Sequence, residues 1–169
     1  MTTENLVPNG IGAYTQFSFQ FPVVGDHYDK VADAVDATYV YTDDAVNYQV
    51  DTYALPAHAG AGAIANVRVF YRLTSYSGGM SYEKSAIYTH GVLYYGAEHG
   101  QLYGWTEFTD DWAVNPYTGA PWTWDEIDAL EVGVAGKGAG GGAVTLTRVY
   151  VIVTYYAMTG AVWGFFTWG

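Results

Sequence analysis

Apolar and polar residues alternate with a period of two along most of this chain, in short runs closed by turn residues. That period predicts strands. The run "ANVRVFYRL" (65–73) is the clearest case: Val67, Val69, Tyr71 and Leu73 share one face, and Arg68, Phe70 and Arg72 take the other. "AYTQFSFQF" (13–21) places Ala13, Thr15, Phe17, Phe19 and Phe21 together, opposite Tyr14, Gln16, Ser18 and Gln20, and Pro22 closes it. "ATYVYT" (37–42) and "NYQVDTYAL" (47–55) follow, divided by a turn at Asp43-Asp44. After a turn in "YSGGMS", the series continues through "SAIYT", "GVLYYG" and "LYGWTEFT". The closing run "VTLTRVYVIVTYY" (144–156) is apolar on both faces, with Val149, Val151, Val153 and Tyr155 on one and Tyr150, Ile152 and Tyr156 on the other. Such a strand is buried centrally or covered by a partner.

One segment breaks the period. Thr123 followed by Glu126 is a capping box, with Asp125 and Glu126 in a first turn where the helix dipole favours acids. Ile127 and Leu130 share a helical face, so a short helix is expected near 124–130, ending before Gly133. "AGKGAGGGA" (135–143) reads as a flexible loop. The run has no internal repeat and no linker. The expectation is therefore an all-β chain: a single-domain antiparallel β-sandwich, jelly-roll-like, spanning 1–156 with roughly seven to nine strands and one short helix. An apolar tail, 157–169, follows it.

Composition narrows the partners. A chain of 169 residues with half its residues apolar suits one domain with its own core. Six Lys and Arg against a net charge of −11 speak against nucleic-acid or anionic-membrane binding. The absence of cysteine removes disulfides, thiolate nucleophiles and Cys-ligated metals. "MTTENLVPNG" has neither a basic n-region nor an apolar h-region, which predicts synthesis in a cytoplasm without a signal peptide. The uncharged stretch 149–169 has the length of a membrane span. Its β-branched and aromatic residues, its Gly160 and Gly164 and its lack of flanking cations read instead as a strand and a tail.

Candidate chemistry is sparse. Asp125, Glu126 and Asp128 beside Trp122 and Trp124 resemble a paired-carboxylate sugar site, but helix capping accounts for the same acids. Asp43-Asp44 and Asp110-Asp111 are hard-oxygen pairs at loop ends that a structural Ca²⁺ would accept, without the EF-hand spacing. His27, His58, His90 and His99 are dispersed, with no HxxxH or HExxH pairing. "GKGAGGG" lacks the Walker order and a following helix. No catalytic, metal or cofactor residues are assigned, and a non-enzyme is expected. The tail carries the strongest hint. Val162, Trp163, Phe165, Phe166 and Trp168 would form a large apolar patch, which predicts an intersubunit contact by burial or by strand addition.

Several motifs occur together and in order: "TENLVPNG", "HYDKVAD", "ATYVYTDD", "VDTYALP", "ANVRVFYR", "NPYTGAPWTWDEIDALEVGV" and "TRVYVIVTY". Over roughly residues 3–156 the chain thereby resembles a family of uncharacterised structural proteins of tailed phages, prophages and environmental viral sequences. The most specific part is the signature N-P-x-T-G-x-x-W-T-W-x-x-I-D-A-L-x-x-G-V at 115–134. The resemblance implies a β-sandwich virion or appendage component and supplies no catalytic residues. The chain departs from the pattern in its Gly-rich 135–143 segment and after Tyr156.

The expected function is that of a non-enzymatic phage virion protein, a head decoration or a tail or fibre component, assembling as a homo-oligomer with itself and other virion proteins. One alternative is a carbohydrate-binding module stacking a surface glycan on Trp105, Trp112, Trp122 and Trp124. Another is an extracellular filament subunit joined by strand exchange.

Overall fold

A computed structural model describes residues 1–33, 35–76, 78–101 and 103–157. The alternating runs at 65–73 and 144–156 form its two longest strands, β6 (Gly62–Tyr76) and β12 (Ala143–Ala157), paired antiparallel along their whole length. Sheet A also holds β1 (Thr2–Leu6), β3 (Phe19–Phe21), β4 (Tyr39–Thr42) and β10 (Thr106–Trp112), in the order β10-β6-β12-β4-β3. On the side of β12 away from β6, Val144–Leu146 pair with β4 and Val151–Tyr155 pair with β1. Sheet B contains β2 (Gly10–Thr15), β5 (Gln49–Ala54), β7 (Met80–Thr89), β8 (Val92–Tyr95), β9 (His99–Gln101) and β11 (Glu131–Ala139). Its order is β2-β5-β11-β7-β8, with β9 also on β7.

The topology is a jelly roll. Number the eight strands β4, β5, β6, β7, β8, β10, β11 and β12 from one to eight. Sheet A then reads first, eighth, third, sixth, and sheet B reads second, seventh, fourth, fifth. This is the double Greek key of two facing sheets.

The inward faces are those expected from the alternation. Val67, Val69, Tyr71 and Leu73 of β6 and Val149, Val151 and Val153 of β12 have no exposed surface. They meet Tyr53 of β5, Ile87 of β7 and Val132 and Val134 of β11 in one core. Helix α2 (Trp124–Asp128) closes one end: its capping box forms, and Ile127 and Leu130 are buried.

Three expectations need correction. Residues 13–21 are not one strand. β2 belongs to sheet B and β3 to sheet A, because the chain crosses between the sheets at 16–18. The buried Asp51 carboxylate fixes that crossing by accepting from the Gln16 and Phe17 amides at 2.7 and 2.8 Å. Phe17 is therefore core, while Phe19 and Phe21 are about half exposed. Second, most of 135–143 is strand rather than loop, with β11 running to Ala139. Its glycines answer to crowding: a Cβ on Gly133 would strike the Asp51 carbonyl, and one on Gly138 the Gly142 carbonyl. Third, a further helix exists, α1 (His27–Val31), opened by Asp26, whose N–H donates to the Asp29 carboxylate at 3.2 Å. Among the described residues, no helix is long and apolar enough to cross a membrane.

Candidate functional site

A groove of about 690 Å³ lies on the outer face of sheet A, at the end where β6 finishes and β12 begins. Alternation in β4 sends Val40 and Thr42 inward and leaves Tyr39 and Tyr41 facing outward. Register then builds a row: Tyr41 pairs with Thr145, and Thr145 pairs with Thr74. Because Thr106 pairs with Leu73, the same register carries Trp105 past Thr74 to end the row. Thr74 and Thr145 are 8% and 6% exposed and form the floor between aromatic walls.

Each wall is held by neighbours. Phe19 stacks on Tyr41 with centroids 4.6 Å apart and planes 13° apart, and Phe21 stacks on Tyr39 at 5.6 Å. Opposite them, Tyr103 and Trp105 ride on the β9–β10 connection. The Gly104 N–H donates to Thr74 Oγ1 at 3.1 Å and Gln101 Nε2 donates to the Gly104 carbonyl at 2.6 Å. Gly104 has φ +109°, a conformation that L side chains rarely adopt, so a glycine is needed to aim its neighbours. The Arg72 guanidinium lies 5.7 Å from the Trp105 ring and is gripped by both Asp36 oxygens at 2.9 and 2.8 Å. Among the described lining residues the only charged one is Asp43, which is exposed.

The sequence-predicted residues fall in different places. Of the four tryptophans, Trp105 alone lines the groove. Trp122 is 3% exposed and donates its indole N–H to the Trp112 carbonyl at 2.8 Å, so it is core. Trp112 is half-buried against the same core. Trp124 donates to the Gly62 carbonyl at 2.8 Å, with His58 stacked on it at 4.7 Å and Tyr155 edge-on at 5.1 Å. All three lie away from the groove: Trp124 is roughly 40 Å along β6, since twelve residues separate Gly62 from Thr74, and Trp112, which pairs with Val67 and holds Trp122, is roughly 23 Å along it. Thr123 and Glu126 form the expected cap, with reciprocal bonds of 3.3 and 2.8 Å. Val162, Trp163, Phe165, Phe166 and Trp168 lie outside the described residues.

The acids and histidines are mostly committed to local tasks. Asp44 caps the amides of Val46 and Asn47, which holds its carboxyl below the usual value. Asp111 takes a two-pronged contact from Arg68 at 2.7 and 2.8 Å. His27 reaches the buried Asp51 at 2.6 Å, and His58 reaches Asp128 at 2.7 Å. Among the described residues, no group of three or more His, Asp or Glu side chains is placed to hold a metal ion.

One polar cluster is less settled. Glu83 of β7 and His99 of β9 are direct cross-strand partners, and Glu83 is fully buried. Both Glu83 oxygens, His99 Nε2, Ser85 Oγ, Asp110 Oδ2 and the Tyr71 hydroxyl have no hydrogen-bond partner among the described residues. Burial pushes the Glu83 carboxyl up to about 8, with Glu98 adding to the shift and the Ser81 hydroxyl opposing it.

Tyr39, Tyr41, Thr74, Tyr103 and Thr145 were not singled out by sequence reasoning. Alternation in "ATYVYT" pairs the two tyrosines, but nothing local links them to Thr145 or Trp105. No protein-family model matches the chain, and no curated protein matches it.

Proposed function

We propose that this chain is a non-enzymatic structural component of a phage particle, assembling with copies of itself. The observation that carries the reading is the apolar edge of sheet A. β3 is the edge strand, and Phe19, Phe21, Val23 and Val24 are 46%, 53%, 81% and 70% exposed along it and just beyond. A contiguous apolar strip on an edge strand is a surface that water disfavours and a neighbouring subunit covers. The jelly-roll order fits the reading, since viral capsid domains are among the proteins built on it, as are lectins. The signature at 115–134 supports it through the resemblance to phage structural proteins.

The test has two arms. Mass spectrometry of purified phage particles should find the chain in fixed stoichiometry with the other particle proteins. Light scattering should find the isolated protein oligomeric, with Phe19→Ser/Phe21→Ser, or a chain ending at Ala157, shifted towards monomer. Absence from particles together with a monomeric wild type would overturn the reading.

A further inference from the structure

We infer that the groove on the outer face of sheet A is a binding site for a neutral oligosaccharide. This assignment stands on the groove alone and does not require the chain to assemble. The argument begins with what the walls and floor can recognise. A pyranose ring has an apolar face of C–H groups and a rim of hydroxyls. The groove presents the complement: Tyr41 at one end, Trp105 at the other, and Thr145 and Thr74 between them. Aromatic side chains supply a flat apolar contact, and a few placed polar groups fix orientation.

Size agrees with an oligomer rather than one ring. Tyr41, Thr145, Thr74 and Trp105 lie on successive chain segments, so the row spans about 14 Å at the usual strand spacing. The volume of about 690 Å³ lies within the range of small-molecule sites. The tyrosine wall and the Trp105 turn are also set before any ligand arrives. Phe19 and Phe21 back the tyrosines, and the bond from Gly104 to Thr74 seats the turn beside Trp105, so the ordering cost on binding falls mainly on Tyr103, which is 85% exposed.

Charge excludes the other small-ligand classes. The described lining holds Asp43 and no cation, and the Arg72 guanidinium behind Trp105 is already paired with Asp36, so a phosphate or a sulfated ligand meets Asp43 without a compensating positive charge in the lining. The same lack removes nucleotides. A purely apolar peptide would cover the Thr145 hydroxyl and the Asp43 carboxylate without offering either a hydrogen bond, which is costly. A neutral sugar offers hydroxyls to both, and the exposed Asp43 carboxylate accepts from them.

The experiment is isothermal titration of the full chain with a panel of neutral oligosaccharides: gluco-, xylo-, manno- and N-acetylglucosamine oligomers of two to six units. The expected result is binding of at least one series. Trp105→Ala should lower that affinity roughly tenfold, as loss of one stacked aromatic contact predicts. Thr145→Val, which keeps the shape of the floor and removes its hydroxyl, should also weaken binding. Tyr117→Ala, at the remote α2 end, should leave it unchanged, and circular dichroism confirms that each variant folds. Failure of every series to bind the wild type would overturn the assignment. So would binding that survives both Trp105→Ala and Thr145→Val, or a nucleotide or proline-rich peptide that binds the groove where no sugar does.

Discussion

Trp122 donates its indole N–H to the main-chain carbonyl of Trp112, fastening the 115–124 corner to the end of β10 by a side chain that is 3% exposed. The bond makes Trp122 a core plug, whereas Trp105 is a wall of an open groove. Trp122→Ala should therefore cost about 3–5 kcal/mol of stability. Trp105→Ala should cost about 1 kcal/mol or less, since it removes a partly exposed ring and one cation–π contact. Urea denaturation of the two variants separates the roles.

Glu83 makes stability fall as pH rises. Its folded-state value, about 8, stands above the ordinary 4.5, so between those pH values the folded protein keeps a proton that the unfolded chain has released. The group's contribution is fully present below about pH 4.5 and is lost progressively up to about pH 8, by an amount on the order of a few kcal/mol. Glu83→Gln should flatten the curve of unfolding free energy between about pH 4.5 and 8 and be the more stable protein above that window. A variant with the wild-type slope would remove Glu83 as its source.

Asp51 joins three segments: β5, the crossing at 16–17 and α1. It is fully buried and accepts from the Gln16 and Phe17 amides and the Tyr53 hydroxyl, while His27 of α1 meets it at 2.6 Å. Asp51→Ala should cost about 3–5 kcal/mol by leaving buried donors unpaired. A double-mutant cycle with His27→Ala should show a coupling of about 0.5–3 kcal/mol by thermal unfolding.

Gly133 leaves no space for a side chain between β11 and β5, where a Cβ would meet the Asp51 carbonyl. Gly133→Ala should prise the strands apart and destabilise by more than about 2 kcal/mol. Hydrogen exchange should report faster opening of β5 and β11 than of β6 and β12.

Thr123 accepts from the Glu126 amide and gives α2 its start. Thr123→Ala should cost about 1 kcal/mol, and Thr123→Ser should restore most of it, by chemical denaturation.

Much of this architecture was legible in the sequence because it rests on local rules. The alternation in 65–73 depends only on one buried face, and the capping box needs only residues three apart. The misreadings arose where distant residues decide. Continuous alternation through 13–21 hid a change of sheet, because the group that enforces it, Asp51, lies far along the chain. The glycines of β11 looked like loop residues, although they answer to crowding from β5 and from the β11–β12 turn. α1 is a single turn and too short to show a helical period, although Asp26 and Asp29 at its start carried a cap-like signal. The groove was illegible for the same reason: Tyr41, Thr74, Trp105 and Thr145 become neighbours only through the register of β4, β12 and β6. Trp105 alone was picked out beforehand, for its chemistry rather than its place.

The position of β12 bears on how a ribosome delivers this protein. It is the last of the described strands to be made, yet it lies between β6 and both β4 and β1. A nascent chain that has not reached Ala157 can pair β6 with β10 and β3 with β4, but it cannot join those pieces into a sheet. Sheet B, by contrast, has all its strands once Ala139 has emerged. One half of the sandwich must therefore wait, its apolar face uncovered, until β12 has been made, and the interval before that strand docks is when these strands are most open to aggregation or to a chaperone.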